Sequence, residues 1–440
     1  MYLTTTVLQT PKNHEVDLAV LKALCYQSAR LYNASLYNIR QHYFATTRYL
    51  SYNDNWRMTK DDLNYRLLIS DSAQQIMRMA DRDMQSFFKL LYLKSQGKYS
   101  ARVNLPHYKK GDECSTYVVC GRSVRIQKDG TVNIGVTREF REKYGYDSRY
   151  IKFTIPRNLR DVKEFKEVRI NPQYGATQFC VQFIYESAQA PQQASGDGWM
   201  SIDLGLDNLM ACTTFSNGGS RQFLIDGRRL KHINRYYNKE IAHLKAARPD
   251  KFDLTKRMIR LMNGRKNRIS QYFDCAVKYV VGECLALGVT RVVVGHNEGW
   301  KQEVNLKDYN NQNFTYIPHY LLLRKLRSKC EFHGIKFLTV EESYTSKASC
   351  LDMDEIPTCT PNDQTKYKFS GRRKYRGLYK SKEGLLINAD INGAVNILRK
   401  YFVNGKLDWI FQDSVRALVN APCPRVHPLG SSPRTSVVGS

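Results

Sequence analysis

Apolar positions recur at helical spacing through the first hundred residues and then switch to short alternating runs. Leu18, Leu21, Leu24, Cys25, Leu31, Tyr32 and Leu36 predict a helix over residues 16–44. Ile76, Met79, Ala80, Met84, Phe87, Leu90 and Leu91 predict another, with Asp71 or Ser72 able to cap its start. Its Met and Phe stripe reads as helix–helix core. Residues 1–10 alternate as a strand. Between 102 and 186, runs at 117–119, 124–127, 131–136, 151–155, 167–170 and 179–185 are β-branched or alternating, with Gly, Pro, Asn and Asp between them. They predict a small antiparallel barrel or sheet that includes the opening strand, with the helices inserted after it.

Residues 187–197, SAQAPQQASGD, have the composition of a linker and mark the expected domain boundary. Beyond it come the run around Asp203, then strands at 209–215 and 222–225. Basic helical stretches follow at 228–246 and 254–287, broken around Pro249. A buried strand at 291–294, a helix at 318–332 and a strand at 335–340 complete an alternating series. Residues 344–385 lack apolar periodicity, and a core helix starts near Asn388. Three strands in hairpin order followed by alternating helices and strands match an RNase H-like α/β fold. Residues from 421 onward read as a flexible tail.

Composition narrows the function. With 440 residues, two or three domains with real cores are expected, and 42% hydrophobic content excludes a disordered chain. No apolar run reaches the length of a transmembrane helix, and the first residues lack the charged and apolar regions of a signal peptide. The net charge of +27 points to a polyanionic partner, nucleic acid above all. The 29 tyrosines suit stacking on unpaired bases. The 11 cysteines sit singly, mostly in apolar stretches, as reduced thiols of a cytosolic protein do.

Two acids carry candidate chemistry. Asp203 lies in Ser201-Ile202-Asp203-Leu204-Gly205-Leu206-Asp207-Asn208, a carboxylate inside an apolar strand. Such a group is costly to bury without a cation, and a divalent metal is the commonest partner in a hydrolytic site. Asp390 lies in Ala389-Asp390-Ile391-Asn392-Gly393-Ala394-Val395, a small-residue helix start able to approach a sheet closely. Its other reading is a helix-capping acid.

These two stretches, with Tyr344-Thr345-Ser346-Lys347 between them, resemble the TnpB (OrfB) family of insertion-sequence proteins over nearly the whole chain. The resemblance implies a split RuvC nuclease domain at 198–342 and 386–419. It implies a wedge β-barrel at 1–14 and 101–186, and a helical recognition insert at 15–100. Residues 187–197 would be the linker, 343–385 a basic loop in place of a zinc-finger-like insert, and 420–440 the tail. The implied activity is RNA-guided cleavage of double-stranded DNA beside a short flanking motif. Asp203, a glutamate and Asp390 would hold two Mg²⁺ ions. The cell compartment would be the cytoplasm in a bacterium or the nucleus in a eukaryote.

The glutamate is where the chain departs from the family. Gly295 stands where most members carry the acid, and Glu298 is displaced by three residues. The next strand ends in Glu341-Glu342, of which alternation lets only one face the site. The resemblance to a rearranged subgroup related to Fanzor selects Glu342, with Glu298 as the fallback. Cys350 and Cys359 cannot supply four ligands, so no zinc is expected. Arg228, Arg229, Lys231, Lys256, Arg257, Arg260, Arg265, Lys266 and Arg268 on the long helices, with Arg372 and Arg373 in the loop, are the expected nucleic-acid contacts. A nuclease-inactive RNA-guided repressor and a guide-independent transposase are the rival readings.

Overall fold

A computed structural model describes residues 3–9, 18–160, 162–186, 191–216, 219–247, 254–296, 317–358, 365–375, 377–402 and 409–430. The chain divides into two compact units, Met1–Ala190 and Pro191–Ser440.

In the first unit, β1 (Leu3–Gln9) is followed by four helices: α1 (Leu18–Thr46), α2 (Tyr52–Thr59), α3 (Leu63–Arg66) and α4 (Ser70–Ser95). Then come β2 (Tyr117–Cys120), β3 (Val124–Ile126), β4 (Thr131–Gly135), α5 (Arg138–Tyr144), β5 (Tyr150–Thr154), β6 (Phe165–Gln173) and β7 (Gln178–Glu186). The strands form two antiparallel sheets, ordered β1-β7-β6-β2 and β3-β4-β5. Leu21 and Leu24 of α1, Ile76 and Met84 of α4, and Tyr117, Phe153 and Phe183 of the strands share one core.

Neither Asp71 nor Ser72 caps α4. The helix starts at Ser70, its N-cap is Ile69, and no side chain caps it. Asp71 instead accepts from Arg122 Nε at 2.7 Å and Ser123 Oγ at 2.6 Å. The short helices α2, α3 and α5 leave no periodicity in the sequence because each is at most two turns long. Their marks are caps: Ser51, Asp62 and Thr137 each accept a backbone N–H of the first turn.

The second unit opens with an antiparallel meander, β8 (Gly198–Leu204), β9 (Asn208–Ser216) and β10 (Gly219–Asp226). Next come α6 (Arg228–Ala246), α7 (Lys256–Ala286), β11 (Val289–Gly295), α8 (His319–Phe332) and β12 (Lys336–Val340). A small sheet of β13 (Arg372–Tyr375), β14 (Leu378–Lys380) and β15 (Leu386–Asn388) leads into α9 (Ala389–Tyr401) and α10 (Trp409–Asn420). The main sheet has the order β12-β11-β8-β9-β10-β16, with β11 parallel to β8 and β12 parallel to β11. This is the RNase H-like arrangement.

Its last strand, β16 (Arg425–Val426), corrects the sequence reading. Residues 425–426 pair in parallel with Leu224–Ile225, and Val426 is buried, so this part of the supposed tail belongs to the sheet. The loop at 343–385 also carries two strands that its composition hid.

Alternation along the strands divides the second unit into two cores. Met200, Ile202, Val292 and Val294 face Phe273 and Val277 of α7 and Leu322 of α8. Ala211, Leu224 and Val293 face Ile391, Ala394 and Val395 of α9. Asp203 lies between Ile202 and Leu204, so the same alternation turns it toward α9.

Candidate active site

Asp203 meets α9 at a glycine. A Cβ on Gly393 would lie 2.6 Å from Asp203 Oδ2, so only glycine lets the helix cross the carboxylate this closely. Burial pushes the Asp203 carboxyl well above the usual carboxylate range. Glu342 and then Asp390 add to the rise, and Arg373 partly opposes it. Asp203 therefore lies within electrostatic reach of both other nominated acids.

Asp390 is not the cap of α9. That role falls to Asn388, whose side-chain oxygen accepts from Asp390 N at 2.9 Å and Ile391 N at 3.2 Å. The Asp390 carboxylate is left for other work. Its Oδ2 accepts from Asn208 Nδ2 at 2.7 Å, and its Oδ1 pairs with Arg373 Nη2 at 3.1 Å. Asn208 is held near by the Gly205–Asn208 turn, where a Cβ on Gly205 would lie 2.5 Å from Asn208 O.

The two glutamates after β12 diverge. Glu341 pairs with Lys400 of α9, whose ammonium also donates to Ser343 O at 2.9 Å and Pro357 O at 3.0 Å. Burial alone would raise the Glu341 carboxyl, but bonds from Lys400 and Ser343 outweigh it and hold it low. Glu342 approaches Gly295 instead: a Cβ there would lie 3.1 Å from Glu342 Oε2 and 2.5 Å from Ile397 Cδ1. Gly295 thus borders the space that Glu342 fills. Burial, with Glu341 nearby, pushes the Glu342 carboxyl up to about 7. Glu298 lies outside the described residues.

A polar stripe on α9 fixes the segment that follows Glu342. Asn392 donates to Ala348 O at 2.8 Å, Asn396 to Thr345 O at 2.9 Å, and Arg399 to Asp354 O at 2.8 Å. Sequence reasoning missed these residues, although two asparagines four apart in the otherwise apolar run 391–398 were the available signal. Asp352 and Asp354 tie the same loop to Ser370, at 3.0 and 2.6 Å. Cys350 is buried, and Cys359 lies outside the described residues.

The expected nucleic-acid contacts divide into two groups. Arg228 is bound to Asp226, Lys231 to Asp207, Arg257 to Glu240, and Arg373 to Asp390. Arg265 donates to Asn234 Oδ1 at 2.7 Å and lies over the Tyr237 ring. Arg229, Lys256, Arg260, Lys266, Arg268 and Arg372 are exposed. The paired ones were drawn to carboxylates that are near in space but mostly not adjacent in sequence. A cleft of about 550 Å³ opens at Asp390, lined also by Asp207, Asn208, Arg228, Arg373 and Arg425.

The donor set Asp203, Glu342 and Asp390 is all hard oxygen, which suits Mg²⁺, and the glycines at 295 and 393 leave it room. Among the described residues no three His, Cys, Asp or Glu side chains close around a common point. At Asp390 both carboxylate oxygens are engaged, by Asn208 and Arg373. The Arg373 guanidinium brings positive charge there, which only partly opposes the rise at Asp203.

Known proteins resemble this chain over the stretches that carry the three acids. The OrfB_IS605 family, described as probable transposase, matches residues 182–301, which include Asp203. The Cas12f1-like TNB domain matches residues 319–397, which include Glu342 and Asp390. A TnpB-like protein of Acidianus two-tailed virus is 24% identical over 406 residues, covering 86% of this chain and 83% of that protein. The chain is thus similar to the TnpB family over both stretches that carry the three acids. Among solved structures, this chain is similar to a Cas12f1–sgRNA–target DNA complex. The TM-score is 0.51 at 13% identity, over 86% of this chain and 82% of that one, a likeness of fold. The mini-RNA-guided endonuclease CRISPR-Cas phi3 gives a TM-score of 0.44 at 9% identity, over 92% of this chain and 93% of that one. No helix among the described residues is long and apolar enough to cross a membrane.

Proposed function

We propose that this TnpB-family protein is an RNA-guided DNA endonuclease of a transposable element. The observation that carries the reading is Glu342 standing against Gly295, which supplies a third carboxylate beside Asp203 and Asp390 where the family's usual acid is missing. Asp203, Glu342 and Asp390 would hold two Mg²⁺ ions, which when bound supply Lewis acidity at the scissile phosphate and a water of lowered pKa. Gly393 lets Asp203 reach the site, and Asn388 leaves the Asp390 carboxylate uncommitted to capping. Arg228, Arg373 and Arg425 line the cleft at Asp390, where guanidinium groups suit a phosphodiester backbone.

The exposed basic residues of α6 and α7 would hold the guide RNA and its DNA duplex by phosphate contacts, which position and do not read sequence. The flanking motif would be read in the first unit. There Gln74, Gln75, Arg78, Arg82, Asn171 and Gln182 line adjoining grooves between α4 and the sheet. Amides and guanidinium groups are the side chains that read base edges.

The test is to purify the protein from cells carrying its native locus, sequence the bound RNA, and challenge the complex with plasmid DNA and Mg²⁺. Guided cleavage that is lost in Asp203→Ala and Glu342→Ala, but kept in Glu341→Gln, is expected. Absence of a specific RNA overturns the guided reading. Guided binding without cleavage assigns the repressor role instead.

A further inference from the structure

The carboxyl-terminal strand reaches the acid cluster through one arginine. Arg425 Nε donates to Asn208 Oδ1 at 3.1 Å, and Asn208 Nδ2 donates to Asp390 Oδ2 at 2.7 Å. The three residues lie on β16, at the start of β9 and in the first turn of α9, and 217 positions separate Arg425 from Asn208. Arg425 is delivered in register. Leu224 N donates to Pro424 O at 2.9 Å, and Val426 is buried in the sheet core. The approach is held as well, since Gln222 Nε2 donates to Leu418 O at 2.7 Å and Ala421 O at 2.8 Å.

We infer that Arg425 is a positioning residue for the acid cluster, acting through the Asn208 amide on Asp390. The inference rests on the metal-dependent reading proposed above. A guanidinium can only donate, so it commits the Asn208 oxygen to Arg425 and the amide N–H groups to Asp390. A flipped amide would set its NH₂ against the guanidinium and its oxygen against a carboxylate. Water in place of Arg425 would hold no such preference, because it both donates and accepts. Asn208 is 6% exposed, so little else reaches it. The amide then holds Asp390 Oδ2, and Oδ1, which faces Arg373, is the oxygen left to exchange partners. Groups that orient ligating carboxylates typically change metal affinity or activity by about 10–100-fold when removed.

The experiment compares Arg425→Met with Arg425→Lys in the full-length protein. Both keep an aliphatic stem on the strand, and only lysine keeps a donor. Mn²⁺ affinity is measured by electron paramagnetic resonance on the protein without nucleic acid, alongside the thermal midpoint and, separately, Mg²⁺-dependent cleavage. R425M is expected to bind Mn²⁺ about tenfold more weakly with an unchanged midpoint, and R425K to recover most of the loss. Binding by R425M within twofold of the parent overturns the inference, and so does an equal loss in both variants. Asp390→Ala separates the two claims. If it binds Mn²⁺ like the parent, the metal reading of the site falls; if it loses binding while R425M does not, only the role of Arg425 falls.

Discussion

Replacing Gly393 with alanine sets two opposed effects on one residue. In a helix interior alanine is favoured over glycine by about 1 kcal/mol. Against this, the new Cβ would lie 2.6 Å from Asp203 Oδ2. Attractive contact between such atoms lies near about 3.5 Å, so the carboxylate or the helix must retreat by about 0.5–1 Å. Overpacking of this size costs about 1–3 kcal/mol. The sum is a net loss of about 0–2 kcal/mol, or at most about 4–8 °C for a unit of this size. The effect on chemistry is far larger, because a displacement of about 1 Å in a reacting constellation can cost about a hundredfold in rate. Single-turnover cleavage of guide-matched plasmid with Mg²⁺, run beside differential scanning calorimetry, measures both. A G393A protein that cleaves at the parental rate with an unshifted melt would refute the close packing of α9 on Asp203.

Three further outcomes follow from the same structure. Asn388→Ala removes the side chain that accepts two N–H groups of α9, so it should cost about 1 kcal/mol in chemical denaturation, with Asn388→Asp close to the parent. The Asp71 carboxyl is held below its ordinary value mainly by Arg122, with Ser123 helping against burial. Its contribution is therefore present above the unfolded carboxylate range and disappears as pH falls through the lowered value. Asp71→Asn should flatten the acid limb of stability below about pH 5 and leave the neutral plateau's slope unchanged. Finally, glutamine at Arg229, Arg260, Lys266 and Arg268 together should make RNA binding less salt-dependent. The slope of log affinity against log salt should fall by about 0.7–0.9 for each phosphate that is no longer neutralised, as filter binding would show.

The residues that were legible from the sequence are those whose signal is local. An acid between Ile202 and Leu204 is visible in any strand reading, and alternation alone sends it to the α9 face. A small-residue helix start is equally local, so Asp390 could be nominated, though its capping alternative was settled only by Asn388 taking that bond. The choice between Glu341 and Glu342 was not local. It depends on Lys400, 59 positions beyond Glu341. The same holds for Asp71, whose partner Arg122 is 51 positions away, and for Arg425 and Asn208. Arg228, Lys231 and Arg373 read as nucleic-acid contacts because nothing in the sequence announces that a carboxylate will fold up against them. Residues 421–430 read as tail because two paired residues are too few to produce a periodicity.

Gly295 and Glu342 have a consequence for how relatives of this chain are sorted. β11 and β12 are parallel neighbours with Gly295 opposite Val340. Their ends therefore open onto one shared space, and a carboxylate can be supplied from either. If Glu342 is the third acid, a search that looks for a glutamate only at the end of β11 would count two acids in this sequence. A search that accepts a glutamate from either strand end would count three. The mark to look for would be paired, a glycine at the end of one strand and a glutamate some forty-seven positions later, as Gly295 and Glu342 stand here. That joint mark can be looked for in sequences whose structures have never been drawn.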